Sequence, residues 1–158
     1  MKIKAVMTRH VFFLNQLDNL SEAARLMWDH DFGSLPVLDD EKNLVGMITD
    51  RDIAMAAYLQ NRLLADIQVA SIMAKNPVSC QQDEELFSAE NAMQNHKLRR
   101  LPVLDEEQRL VGIICLNDIA LAYKHGRDKE VNAGEVADTL AAICNHRGHE
   151  GVVASARI

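Results

Sequence analysis

Leu35-Pro36-Val37-Leu38-Asp39 recurs as Leu101-Pro102-Val103-Leu104-Asp105, and the 66-residue offset between the two copies decides how the chain is read. At the same offset Leu44-Val45-Gly46 returns as Leu110-Val111-Gly112, and Asp52-Ile53-Ala54 as Asp118-Ile119-Ala120. Met7 and Met73, Met27 and Met93, and His30 and His96 keep it too. Positions 5–58 and 71–124 share about 20 identities in 54 ungapped pairs, several times the chance level, so the chain carries an internal repeat.

Within one copy, Leu20, Ala23, Ala24 and Met27 fall at i, i+3, i+4 and i+7, one apolar face of a helix that Asp18 is placed to cap. Leu35–Leu38 and Leu44–Ile48 are short runs of Leu, Val and Ile around a polar Asp39–Asn43, which predicts a hairpin. Thr49 or Asp50 then starts a second helix with Ile53, Ala56 and Ala57 inward. An extended stretch at Phe12–Leu14 completes a β-α-β-β-α unit. The second copy repeats the plan, with Leu86, Ala89 and Met93 on its first helix. A unit this small covers its own sheet poorly, so the expected fold class is α/β (α+β): two such repeats packed as a pseudo-two-fold pair.

The first repeat spans 1–65, with a linker around 59–70 too apolar to hang free, and the second spans 66–124. Beyond lies a segment, 125–158, that opens with a polar break at His125–Glu130. An amphipathic helix on Val136, Leu140, Ile143 and Cys144 follows, then a tail from Asn145 expected to be flexible.

The 158 residues are 48% hydrophobic and 25% charged with mean hydropathy near zero, which fits a folded soluble chain. The longest apolar runs fall short of a membrane span, and the start lacks the apolar core of a secretory signal, so the expected location is cytoplasmic. Seventeen basic against 23 acidic side chains give a net charge of −6, which disfavours nucleic acid as a partner. Cys80, Cys115 and Cys144 are scattered and read as reduced thiols. Neither a phosphate loop nor a nucleophile–base–acid constellation is present, so no enzyme is expected. Cys144, His146 and His149 form a C-x-H-x-x-H pattern with too few ligands, read as solvated tail rather than a metal site. Trp28, Phe32 and the methionines read as core or dimer contacts.

The run Gly46-Met47-Ile48-Thr49-Asp50-Arg51-Asp52 carries chemistry. One carboxylate can accept hydrogen bonds from both vicinal hydroxyls of a ribose, which is a role for Asp52. Thr49 lies where a helix starts and its free N–H groups favour an anion. Thr and Asp are equally common caps, so a purely structural role stands beside the binding one. In Gly112-Ile113-Ile114-Cys115-Leu116-Asn117-Asp118 the acid is kept, but Cys115 replaces the hydroxyl with a weak donor. Before the second Leu-Pro-Val stand Lys97, Arg99 and Arg100, where the first repeat has Asp31, Gly33 and Ser34. A guanidinium fork suits phosphate, although cations at a helix end are also ordinary solvated surface.

Leu-Pro-Val-Leu-Asp before a hairpin, Leu-Val-Gly within it and Thr-x-x-Asp at the second helix, all occurring twice in register, resemble a tandem pair of CBS (cystathionine-β-synthase) domains of the stand-alone bacterial type. The resemblance covers roughly 1–124 and implies a regulatory module, commonly a homodimer. Such a module takes an adenosyl ligand (AMP, ADP, ATP, S-adenosylmethionine or NAD) between the repeats, requires no cofactor, and acts on a separate, unidentified protein. It implies two sites, each joining the acid of one repeat to the first strand and pre-proline residues of the other. The first unites Gly46, Met47, Thr49 and Asp52 with Val69, Leu98, Arg99, Arg100 and Pro102, and is expected to take a phosphorylated ligand. The second, weaker one unites Gly112, Cys115 and Asp118 with Ile3, Ser34 and Pro36; it has Asp31 and no nearby base. The alternative is a structural dimerisation module without a physiological ligand.

Overall fold

The structure is a computed structural model and describes residues 1–124 and 133–145. Its first half contains β1 (Leu14–Asn15), α1 (Leu20–His30), β2 (Ser34–Leu38), β3 (Leu44–Thr49) and α2 (Asp50–Gln60). Its second half contains β4 (Ala74–Lys75), β5 (Cys80–Gln81), α3 (Leu86–His96), β6 (Arg100–Leu104), β7 (Leu110–Cys115) and α4 (Leu116–Lys124). A last helix, α5, runs over Ala133–Cys144. The expected class is observed: two small mixed sheets, each backed by helices.

Both hairpins form in the same register, Val37 opposite Gly46 and Val103 opposite Gly112. The polar turns close on their first residue. Asp39 Oδ1 accepts from Asn43 N, and Asp105 Oδ1 from Arg109 N, both at 2.8 Å. Strands β1 and β5 add in parallel to β2 and β6. Two local expectations shift by a residue or two. The first strand is Leu14–Asn15 rather than Phe12–Leu14. Asn19, not Asp18, caps α1, its Oδ1 accepting from Glu22 N at 3.0 Å. The Asp18 carboxylate turns back instead and accepts from Asn15 N at 2.8 Å, closing the turn before the helix.

The two cores do not coincide with the two sequence repeats. The first gathers Leu20, Met27, Val37 and Ile48 together with Ile67, Val69 and Met73, residues that precede the second repeat's first strand. The second gathers Met93, Val103, Ile114 and Ile119 together with Ile3 and Met7 from the chain's start. Each repeat is thus completed by the segment leading into the other. β4 extends the first sheet beside β3, with Ala74 opposite Met47. Thr8 bridges Ile113 at the matching place in the second sheet. A full burial of Ile or Met is worth about 1.5–3 kcal/mol. Unfolding either half therefore exposes apolar surface belonging to the other, which predicts a single cooperative transition.

This exchange explains the two repeated glycines. A Cβ on Gly46 would stand 2.5 Å from Met73 Sδ, and one on Gly112 would stand 2.5 Å from Met7 Sδ. The nearest atoms at these two positions belong to the exchanged methionines.

Helix α5 packs on α3 and α4. Its inward face is Val136, Thr139 and Ile143, while Leu140 is 49% exposed and Cys144 lies in solvent. The expected stripe of 136, 140, 143 and 144 is therefore rotated by one position. The cause is Thr139, whose hydroxyl accepts from Gln94 Nε2 at 2.7 Å and donates to the Glu135 carbonyl at 2.8 Å, so a polar residue is satisfied inside the contact. Of the apolar stretch 59–70, Ile67 and Val69 are buried, whereas Leu59 and Leu63 are exposed. The polar break at 125–130, the tail beyond Asn145 and the two histidines of the C-x-H-x-x-H pattern lie outside the described residues.

Candidate functional site

The site grows from the junctions where a hairpin's second strand becomes a helix. At the first, Thr49 and Asp52 form a reciprocal cap. Thr49 N donates to Asp52 Oδ2 at 2.8 Å, Thr49 Oγ1 donates to the same oxygen at 2.7 Å, and Asp52 N donates to Thr49 Oγ1 at 3.2 Å. The capping role is therefore realised, and it leaves Oδ1 of Asp52 as the remaining acceptor. At the second junction Cys115 N donates to Asp118 Oδ2 at 2.8 Å. Burial raises the Asp118 carboxyl above its usual range, and the Cys115 amide and thiol pull it part of the way back. Burial and the neighbouring Asp118 push the Cys115 thiol up to about 11, against an opposing pull from Arg100. A thiol so placed is a neutral group at physiological pH, not a nucleophile.

Between the repeats lies a cavity of about 100 Å³. Val11, Phe12, Phe32 and Ser34 line it from the first repeat, and Arg100 and Cys115 from the second; His10 stands at the same wall. Phe12 stacks on His30 with ring centres 3.9 Å apart, and Phe32 lies 5.6 Å from Phe12. Arg100 and Cys115 face each other across β6 and β7. The Arg100 guanidinium reaches over to the first repeat: a Cβ on Gly33 would lie 3.5 Å from Arg100 Nη2 and 3.5 Å from Asp50 Oδ2. Among the described residues nothing hydrogen-bonds or pairs with that guanidinium, and Ser34 Oγ is buried without a partner. An unsatisfied buried hydroxyl costs about 1–3 kcal/mol, so Ser34 Oγ, aimed into the cavity, is a feature that stability alone disfavours, and the half-buried Arg100 guanidinium stands beside it.

The expected site residues divide sharply. Arg100, Ser34 and Cys115 line the cavity. Thr49, Asp52 and Asp118 are half-buried at the helix starts. Pro36 and Pro102 are buried in β2 and β6, paired with Met47 and Ile113. Leu98 packs against the second core. Ile3 and Val69 do not reach the cavity: both are fully buried in the exchanged segments. Gly46 and Gly112 face Met73 and Met7.

The basic cluster is split as well. Lys97 Nζ donates to the Asn145 carbonyl at the end of α5, and Arg99 is exposed. Arg100 does not leave the Ser34 and Cys115 side without a base, as expected, but shares that cavity, because its long side chain crosses the pseudo-two-fold axis where Ser34 is too short to do so. Thr8, His10, Val11, Phe12 and Phe32 also line the cavity, and sequence reasoning does not single them out. The available signal was their position between Met7 and Leu14, at the offset from Ala74–Val78, which marks the segment crossing between repeats.

Among the described residues no cluster of His, Cys, Asp and Glu is built to hold a metal ion, and no helix is long and apolar enough to cross a membrane.

Comparison with known proteins converges on one family. The CBS domain model matches residues 3–58 and again 69–125. A CBS domain-containing protein of Bacillus subtilis, YhcV, is 37% identical over 119 residues, covering 75% of this chain and 83% of its own. The inosine-5'-monophosphate dehydrogenase of Methanocaldococcus jannaschii is 33% identical over 149 residues, which is 94% of this chain but 28% of that enzyme. Among solved structures, the CBS domain pair of protein MJ0100 in complex with 5'-methylthioadenosine and S-adenosyl-L-methionine superposes with a TM-score of 0.71. It is 26% identical over 79% of this chain and 97% of that one.

Proposed function

The chain belongs to the CBS-domain family, and from that premise we propose that it is a non-catalytic regulatory module that binds an anionic adenosyl ligand, AMP, ADP or ATP, between its repeats and signals occupancy to a separate protein. The observation that carries this reading is the cavity in which the Arg100 guanidinium and Ser34 Oγ stand without partners among the described residues. A phosphate supplies acceptors for both, and a guanidinium meets it with paired hydrogen bonds. Phe12 and Phe32 offer the base an aromatic wall. The free oxygens of Asp118 or Asp52 suit a ribose. The dehydrogenase comparison supports a regulatory role, since this chain corresponds to only a fraction of that enzyme.

A second reading, a scaffold without a ligand, is favoured by the size of the cavity. About 100 Å³ is below the roughly 300–1,000 Å³ of small-molecule sites, so binding requires Phe12 and its neighbours to swing aside. Thermal unfolding with AMP, ADP, ATP, NAD, 5'-methylthioadenosine or S-adenosylmethionine separates the two. A ligand at 100 times its Kd stabilises by about 2.7 kcal/mol. A shift with the phosphorylated compounds supports the sensor, and no shift with any of them leaves the scaffold.

A further inference from the structure

Helix α5 meets α3 along a polar seam, the two helices running in the same direction. Lys97 Nζ donates to the Asn145 carbonyl at the carboxyl end, and Gln94 Nε2 donates to Thr139 Oγ1 at 2.7 Å in the middle. Val136 and Ile143 add apolar contact with the second core. One turn before Gln94 and one turn before Thr139 the seam begins with two carboxylates, Glu90 of α3 and Glu135 of α5. Two rungs are complementary; the first is a pair of like charges.

Glu90 is 4% exposed, and its Oε1 has no hydrogen-bond partner among the described residues. It lies on the inward face of α3 with Leu86, Ala89 and Met93. The cations of the elements packed on α3 are committed elsewhere. Lys2 and the amino terminus pair with Glu85, and Lys4 pairs with Asp83. Arg100, at the head of β6, lines the cavity between the repeats. The only charged side chains of α5 itself are Glu135 and Asp138, and Asp138 is exposed. An unpaired carboxylate is strongly disfavoured where water is excluded, and a neutral carboxyl is not. Burial first, and the Glu135 charge second, accordingly raise the Glu90 carboxyl above its ordinary 4.5.

We propose that Glu90 is a proton-operated latch for α5: with Glu90 protonated α5 lies against the second repeat, and loss of that proton opens the seam at the Glu90–Glu135 end. The docked state keeps the proton beyond the pH at which a free glutamate releases it. Docking is therefore at full strength below about pH 4.5 and weakens as pH rises through the raised value. Moving α5 is the easiest way to hydrate the carboxylate, because Leu86, Ala89 and Met93 tie α3 into the core while α5 is attached by one face.

Amide hydrogen exchange of the full chain at pH 5 and pH 8 tests this, read as the protection of α5 relative to β6. In the wild type that ratio should fall between pH 5 and pH 8, with α5 opening ahead of the rest. Glu90→Gln keeps the shape and cannot ionise. At pH 8 its ratio should be about ten-fold higher than the wild type's, the effect of removing an unsatisfied buried acceptor charge, and at pH 5 the two should agree. Glu135→Gln removes only the facing charge and should close part of the gap. A wild-type ratio independent of pH, the same fall in both variants, or joint loss of protection in α5 and β6 overturns the proposal. His125, Arg127 and Lys129 precede α5 outside the described residues. An ion pair from one of them to Glu90 would make Glu90→Gln the less protected form at pH 8, which overturns it equally.

Discussion

Replacing Gly112 by alanine tests the exchange of segments between the repeats. The new methyl would stand 2.5 Å from Met7 Sδ, 3.1 Å from its Cγ and 3.1 Å from the Thr8 carbonyl. Ordinary carbon contacts lie at about 3.5–4.0 Å, so roughly 1 Å of overlap must be relieved. The Met7 side chain is 7% exposed and has little room. The Thr8 carbonyl is pinned by Ile113 N at 2.9 Å, and Thr8 N returns a bond to the Ile113 carbonyl at 2.9 Å. Releasing the segment would forfeit the burial of Ile3 and Met7, about 1.5–3 kcal/mol each, and both backbone bonds. That exceeds the strain, so residues 1–8 stay docked and the variant bears an overpacking cost of about 1–3 kcal/mol. For a chain of this length the Tm falls by about 3–10 °C. Urea unfolding by circular dichroism measures the loss, and hydrogen exchange in β2 shows where it is felt. Because the first core is closed by residues 67–73, amides of the first repeat should lose protection together with those of the second. The Met7→Ala/Gly112→Ala pair should cost less than the sum of its members, since the methyl then has space. An unchanged midpoint, strict additivity, or loss of protection confined to the second repeat would refute the reasoning.

Three further outcomes follow from the site and its surroundings. Arg100→Met should weaken AMP binding by about ten- to hundred-fold while leaving 5'-methylthioadenosine unaffected, because a charged hydrogen bond is worth about 1.5–3 kcal/mol; titration calorimetry with both ligands decides it, and equal losses would sink the role. Glu90 is 4% exposed, Oε1 lacks a partner among the described residues, and burial plus nearby Glu135 raises its carboxyl above the usual 4.5. The fold therefore favours the protonated form, and the wild type loses stability as pH rises from about 4.5 through the raised value. Glu90→Gln should be more stable than wild type at pH 7 and equal to it at pH 3 in parallel melts; a gap of the opposite sign at pH 7 would count against the burial argument. Iodoacetamide at pH 8 should label exposed Cys144 long before Cys115 and Cys80, whose thiols burial pushes up to about 11 and about 12, as peptide mass spectrometry would show.

Much of the architecture was legible because it is written in local periodicity. The apolar face Leu20, Ala23 and Met27 and the hairpin pair Leu35–Leu38 with Leu44–Ile48 need only their own neighbours to form. The placing of Thr49 and Asp118 at helix starts was legible for the same reason. Ile3 and Val69, which the resemblance puts in the sites, are fully buried in the exchanged segments, and a buried aliphatic residue and a ligand-facing one look alike in sequence. Nothing in the sequence around Gly46 names its neighbour, which is Met73.

By itself, then, the 66-residue repetition determined that there are two equivalent units, what elements each contains, and which family they resemble. Only the tertiary structure decided which segment closes which core, on which side of the axis Arg100 ends, and that α5 packs on the second repeat. Identical motifs specify identical local structure. The choice between equivalent partners is settled by packing across the pseudo-two-fold axis, where the unequal residues, Arg100 against Ser34 and Lys97 against Asp31, make the two halves different.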